Sequence, residues 1–246
     1  MANASIIYGV HAVMAALEHH PESLLTIYCE TGEISARIKH LIEKANQHGI
    51  AIENMATTKL DKLTESTHHQ GIAAKVKALA PKTEKDILTW LENTDKKPLL
   101  LILEGIQDPH NLGACLRSAE ALGVDFVILP KDNSAPINAL VSKISCGATL
   151  TLPVVVCANI VRFIEQIQKR DIWVVGTSGH AEIVLSQAAL TRKVAIVMGT
   201  EDKGLKRLTI EACDEVVKIP LLGTVESLNV SVATGIALYE VLRQRS

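Results

Sequence analysis

The chain has no cysteine framework, no long apolar run and no excess of basic charge, and each absence removes a class of protein. Its five cysteines (Cys29, Cys115, Cys146, Cys157 and Cys213) are odd in number, scattered and never spaced C-x-x-C. That pattern argues for reduced thiols in a cytoplasm rather than a disulfide scaffold or a zinc site. The His-His pairs at 19–20 and 68–69 do not make a metal site either. Adjacent histidines point to different faces, and no second pair sits at helical spacing. No stretch approaches the roughly 20 apolar residues that span a bilayer, so no membrane role is expected. The opening MANASIIYGVHAV lacks a basic region ahead of an apolar run and does not read as a secretory signal. A net charge of -2 over 246 residues is not the strong basic bias of many nucleic-acid binders, although a local patch or a dimer cleft can supply one. Neither G-x-G-x-x-G after the first apolar strand of the C-terminal part nor G-x-x-x-x-G-K-[ST] occurs. Dinucleotide binding of the usual type and a phosphate loop are thereby disfavoured, and with them a Rossmann-type metabolic enzyme.

What is present divides in two. Apolar residues recur with a helical period over 6–19, and 24–29, 50–55 and 71–77 read as strands. Residues 34–49 and 57–64 read as helices. This is a small α/β unit, residues 1–77, too small for a doubly wound nucleotide-binding fold. Residues 78–98, with two prolines and dense charge, read as a linker holding one short helix, 84–92, whose Trp90 could anchor it. From 99 to 246 six short runs rich in Val, Ile and Leu (LLLILEG, VDFVILP, TLPVVVC, IWVVGTS, VAIVMG and EVVKIP) alternate with helical stretches at 111–122, 136–146, 158–170 and 206–213. Near-continuous apolar strands between helices predict a mostly parallel α/β sheet covered on both faces. Ligands of such sheets bind beyond the carboxyl ends of the strands, which directs attention to the loops after each run.

Three of those loops carry unusual residues. After the first run, Asn111 lies near a helix start, where a cap would explain it. Arg117 then sits within an apolar stretch of the same helix. After the fifth run, Gly199 allows a sharp turn and Glu201 is an acid at that turn. After the sixth, Ser227 and Asn229 precede a terminal helix over 229–245 with small residues at Ser231, Ala233 and Gly235. Each residue taken alone has an ordinary structural explanation.

Together the blocks NLGACLRSA (111–119), GTEDKGL (199–205) and IPLLGTVESLNVSVA (219–233) resemble, in order and spacing, the three motifs of the SpoU family of RNA 2′-O-methyltransferases. YGVHAV and HHQGIAA in the first part resemble the small RNA-binding domain, similar in fold to ribosomal protein L30e, of one branch of that family. That branch contains bacterial enzymes that methylate a guanosine ribose in the peptidyl-transferase P-loop of 23S ribosomal RNA. The resemblance implies a deep trefoil knot in residues 99–246, which periodicity would not suggest because knots are otherwise nearly absent from proteins. It implies S-adenosyl-L-methionine as methyl donor, 23S ribosomal RNA as substrate, and a homodimer in which each site borrows from the neighbouring subunit. Transfer RNA as substrate, or a non-catalytic RNA-binding protein of the same fold, are the alternatives. Carried onto this chain, the catalytic residues are Arg117, Asn111, Glu201, Ser227 and Asn229, with Glu201 the natural ionic partner of Arg117. The adenine-binding positions fall on Gly199, Ile219 and Leu228, with Thr177, Met198 and Leu222 beside them. A guanidinium is normally never a base; the expected role of Arg117 is to stabilise the developing alkoxide. RNA recognition has the weakest signal: residues 1–80 carry seven Lys and Arg against eight Asp and Glu, leaving local patches such as Arg37, Lys39 and Lys44.

Overall fold

The computed structural model describes residues 4–77 and 82–246, and its contacts divide them into two compact units. One unit holds the described residues up to Lys77 together with Ile137–Thr151; the other holds those from 82 to Pro136 and Leu152–Ser246.

The first unit begins with a strand, β1 (Ala4–Tyr8), and only then a helix, α1 (Val10–His19). Residues 6–8 were expected in the helix; they instead pair antiparallel with the fourth strand, and Gly9, at φ 91°, turns the chain into α1. There follow β2 (Leu24–Glu30), α2 (Ala36–Gln47), β3 (Ala51–Met55), α3 (Thr57–Thr64) and β4 (Ile72–Lys77). The sheet order is β1-β4-β2-β3, four strands where three were expected. Val13, Ala16 and Leu17 of α1 and Leu41 and Ala45 of α2 bury one face against Ile27, Ile72 and Ala74. Leu60 of α3 meets Tyr8 and Ala73 on the other face. His69, 3% exposed, pins the loop before β4. Its Nδ1 accepts the Gly71 N–H at 3.0 Å, so its Nε2 carries the proton towards Asp61 Oδ1 at 3.1 Å. On α2, Arg37 and Lys39 are exposed, whereas Lys44 is tied to Glu18 at 2.7 Å.

The second unit starts with α4 (Glu84–Asn93). Residues 78–81 of the expected linker lie outside the described residues. The helix within it is no free spacer: Thr83 and Asp86 form a reciprocal capping box, Ile87 and Leu91 are buried in the core, and Trp90 packs edge-on against Phe126 at 5.2 Å. Then come β5 (Leu99–Leu103), α5 (Pro109–Ala121) and β6 (Phe126–Pro130). The helix expected over 136–146 is two short ones, α6 (Ala139–Ile144) and α7 (Ala148–Thr151), separated by Cys146 and Gly147 at positive φ, and both group with the first unit. The chain continues through β7 (Val154–Cys157), α8 (Ile160–Gln168), β8 (Trp173–Thr177), β9 (Ile183–Val184), β10 (Val194–Met198), α9 (Arg207–Ala212), β11 (Glu215–Lys218) and α10 (Val230–Arg245).

All pairings of this sheet are parallel, in the order β7-β6-β5-β10-β8-β11-β9. The seventh strand, Ile183–Val184, is too short to leave a pattern. β5 and β10 are buried throughout, as a covered parallel sheet requires. Phe163, Ile164 and Ile167 of α8 cover one side with α4. α10 lies along α5, where Cys115 Sγ and Thr234 Oγ1 meet at 3.5 Å. The end of α10 is held by Arg245, whose guanidinium donates to the carbonyls of Lys97, Pro98, Leu190 and Arg192.

Candidate functional site

β5 and β10 are adjacent, with Leu103 opposite Met198. From β5 the chain crosses through α5 to β6; from β10 it passes through α9 to β11 on the other side of β8. The strand order reverses between them, which is where an open parallel sheet forms a binding crevice. The loops that follow the two strands interlock there. Glu104 N–H donates to the Met198 carbonyl at 2.8 Å. Gly105, at φ 85°, sits so close to Thr200 that a Cβ would lie 2.9 Å from its methyl carbon.

Gly199 is constrained more tightly. A Cβ there would lie 2.1 Å from the Gly204 carbonyl carbon, because Thr200 and Gly204 exchange backbone hydrogen bonds at 3.1 and 3.0 Å. The closed loop presents Glu201. One carboxylate oxygen, Oε1, accepts from Asn111 Nδ2 at 3.1 Å, from Val230 N–H at 2.9 Å and from Asn229 Nδ2. Asn229 Nδ2 also donates to Asn111 Oδ1 at 2.9 Å. Three loops therefore deliver one side chain each to a single cluster, at the N-terminus of α10 where the helix dipole favours a negative group.

Asn111 is not the cap of α5. Asp108 is, accepting the His110 N–H at 2.9 Å, and Asn111 in the first turn is released to bond Glu201. Asn229 is the cap of α10, its Oδ1 accepting the Ser231 N–H at 3.0 Å. Ser227 is exposed and has no hydrogen-bond partner among the described residues. Arg117 is exposed and does not pair with Glu201. It lies six residues beyond Asn111 on α5, about 9 Å along the axis and on another face of the helix.

The six positions anticipated for a methyl donor surround the neighbouring strand tips. Thr177 ends β8, its Oγ1 donating to the Val197 carbonyl at 3.1 Å. Met198 ends β10 beside Gly199. Ile219 and Leu228 bound a loop in which Leu222 is 100% exposed. Between 219 and 228 no backbone or side-chain group has a hydrogen-bond partner among the described residues. Aliphatic side chains beside unpaired main-chain donors and acceptors fit an adenine, whose faces need walls and whose edge needs amide partners.

Sequence reasoning missed a cavity of about 460 Å³ beside the cluster, lined in part by Gly105, Asp108, Asn133, Asp202 and Lys203. Its walls are the loops that the strand-tip rule indicates, but no residue pattern marked these positions. The buried Glu104 was missed as well: it accepts from Lys206 N–H at 3.0 Å and Thr209 Oγ1 at 2.9 Å, anchoring the start of α9. Among the described residues no group of three or more His, Cys, Asp or Glu is arranged to hold a metal, and no helix is long and apolar enough to cross a membrane.

An open parallel α/β sheet with a polar cluster at its switch point defines the class. The chain belongs to the SpoU rRNA methylase family, whose model matches residues 98–239, and residues 6–82 match the RNA 2′-O ribose methyltransferase substrate-binding family. It is 48% identical over 245 residues, covering 100% of this chain and 99% of the relative, to the 23S rRNA (guanosine-2′-O-)-methyltransferase RlmB of Shewanella oneidensis. Among solved structures it is similar to an RNA 2′-O ribose methyltransferase, at TM-score 0.81 and 26% identity over 99% of this chain and 90% of the other. The SpoU methyltransferase AviRb of Streptomyces viridochromogenes, solved with AdoMet, shares the fold at TM-score 0.80 and 24% identity over 99% of this chain and 91% of the other.

Proposed function

We propose that the protein transfers a methyl group from S-adenosyl-L-methionine to the ribose 2′-hydroxyl of a guanosine in 23S ribosomal RNA. The observation that carries this reading is the convergence of Asn111 Nδ2, Asn229 Nδ2 and the Val230 N–H on one Glu201 oxygen, from segments that follow three different strands. Full-length likeness to a 23S rRNA guanosine methyltransferase supports the substrate.

The methyl donor supplies an electrophilic sulfonium methyl; the protein supplies geometry and charge. Gly199, Ile219, Leu228, Thr177, Met198 and Leu222 hold its adenine end. Glu201, fixed by three donors, holds Asn111 and Asn229 in place and thereby orders the floor on which the ribose lies. A ribose hydroxyl is a weak nucleophile. Arg117 offers a fork of donors and a permanent positive charge to the developing alkoxide and the adjacent phosphate.

Because Arg117 projects from the exposed side of α5, it serves the site of a second subunit. The homodimer forms on α10, where Val232, Ile236, Tyr239 and Leu242 are all exposed at helical spacing, an apolar stripe that calls for a partner. The C-terminal segment is threaded as a trefoil knot, its end locked by Arg245. Residues 1–77 bind the RNA, Ser227 contacts the substrate, and the protein acts in the cytoplasm.

The test is to incubate the purified protein with labelled S-adenosyl-L-methionine and either unmodified 23S RNA or transfer RNA, and to map any 2′-O-methyl group. Label on a 23S guanosine is expected. Label on transfer RNA alone would move the substrate, and label on neither would refute the reading.

A further inference from the structure

The cavity beside the catalytic cluster has the size and polarity of a nucleotide site. Its volume of about 460 Å³ falls within the roughly 300–1,000 Å³ typical of ligand pockets. It adjoins Asn111 and Glu201, which both line it, so an occupant would stand next to the reacting ribose. RNA enzymes read such bases unstacked, by their hydrogen-bonding edges.

The edge this cavity can read follows from its carboxylates. Guanine is the base that presents two donors side by side on its pairing edge, N1–H and the 2-amino group. A carboxylate with both oxygens unengaged accepts that pair, and an ionised carboxylate offers no donor to adenine N1 or cytosine N3. Three carboxylates line the cavity: Asp108, Glu201 and Asp202. Oε1 of Glu201 is occupied by Asn111, Asn229 and Val230. Oδ1 of Asp108 is occupied by the His110 N–H. Asp202 is exposed and has no hydrogen-bond or ion-pair partner among the described residues, so both its oxygens are open, and it neighbours Glu201 on the loop closed by Thr200 and Gly204. Lys203, next along and also lining the cavity, carries the positive charge that a flanking phosphate needs.

Resting on the methyltransferase reading above, we infer that this cavity holds the target base and that Asp202 is its specificity-determining residue, accepting guanine N1–H and the 2-amino group. Glu201 acts on the ribose end and Asp202 on the base end of one nucleotide, so one short loop sets both position and identity.

The test uses the full-length protein and a 23S RNA fragment carrying guanosine, inosine or adenosine at the methylated position. Inosine keeps N1–H and lacks the 2-amino group. The wild-type protein should prefer guanosine to inosine, and to reject adenosine, by about 10- to 100-fold in kcat/KM, the worth of one bidentate base contact. Asp202→Asn keeps one acceptor for N1–H but turns an NH2 on the 2-amino group, so it should lower kcat/KM on guanosine by a similar factor, lower it by a smaller factor on inosine, and leave S-adenosyl-L-methionine binding at the wild-type value. Equal losses on guanosine and inosine, or no loss on either, would overturn the assignment to Asp202. A wild-type protein that binds S-adenosyl-L-methionine and methylates no guanosine RNA would overturn the underlying activity and the base reading with it.

Discussion

Asn229 caps the terminal helix with one end of its amide and holds Glu201 with the other. Its Oδ1 accepts the Ser231 N–H at 3.0 Å while its Nδ2 donates to Glu201 and, at 2.9 Å, to Asn111. The two tasks can be separated. Serine is as good a cap but has no amide to reach Glu201, so Asn229→Ser should remain within about 1 kcal/mol of wild type in urea unfolding. Its methylation rate should fall about 100-fold, the scale of one positioned donor. Asn229→Ala loses the cap too, costing about 0.5–2 kcal/mol. Full activity of the serine variant would show that this residue only holds the loop.

Gly199 has no room for a methyl group, since a Cβ would lie 2.1 Å from the Gly204 backbone. Gly199→Ala must open the Thr200–Gly204 loop, at a cost of about 1–3 kcal/mol. Denaturant titration should show that loss, and methylation should fall with it because Glu201 rides on the loop. An unchanged crystal structure of the variant would contradict the close approach.

Arg117 is exposed and unpaired with Glu201, so Arg117→Ala should alter stability by no more than about 0.5 kcal/mol and still abolish turnover. Arg117→Lys keeps the charge and loses the fork; near-normal turnover would count against the role given to Arg117. If the arginine serves the partner's site, mixing Arg117→Ala with Asn229→Ala protein should restore about one quarter of wild-type activity, since half of randomly paired two-fold dimers carry one intact composite site. Failure to recover activity after subunit exchange would place the arginine in its own subunit's site.

The stripe on α10 exposes Tyr239 to 58% and Ile236 to 39%. A charge placed there by Ile236→Asp should hold the protein as a monomer in analytical ultracentrifugation, with the fold intact by circular dichroism. A monomer that retains full turnover would remove the case for a shared site.

Burial pushes the Cys115 thiol up to about 11 and the Cys157 and Cys213 thiols up to about 12, from an ordinary 9.0. Alkylation needs the thiolate, so at pH 8 native protein should label first at the half-buried Cys146 and at these three only after unfolding. The sign of the linkage follows. The unfolded chain ionises its thiols near 9.0 and the folded one not until about 11–12. The stability tied to neutral thiols is therefore complete below pH 9 and lost progressively as pH rises from there towards about 12. Unfolding curves between pH 8 and 11 would reveal it, and a flat profile would exclude it.

Much of the fold is legible in residue patterns. Six of the seven strands of the large sheet stand out as apolar runs because both faces are covered, and helices such as Thr57–Thr64 announce themselves by period. Misreadings occur where tertiary pairing overrides local pattern. Ile6, Ile7 and Tyr8 fit a helix period but are recruited by β4, and the two residues of β9 carry no period at all.

For the site, the motif positions Asn111, Glu201 and Asn229 are visible in the order of the chain, and the strand-tip rule says which loops to inspect. Chain order cannot show that three donors converge on one Glu201 oxygen, that Asp108 rather than Asn111 caps its helix, or that Arg117 makes no ion pair with Glu201. Composition and periodicity depend on short-range preferences and on burial, so the sequence by itself determined the parallel sheet, the polar strand tips and the family. The partner of each polar side chain depends on which loops meet in space across 90 or 118 residues. Only the reversal of strand order between β5 and β10, a property of the assembled sheet, brings those loops together and leaves a nucleotide-sized cavity between them.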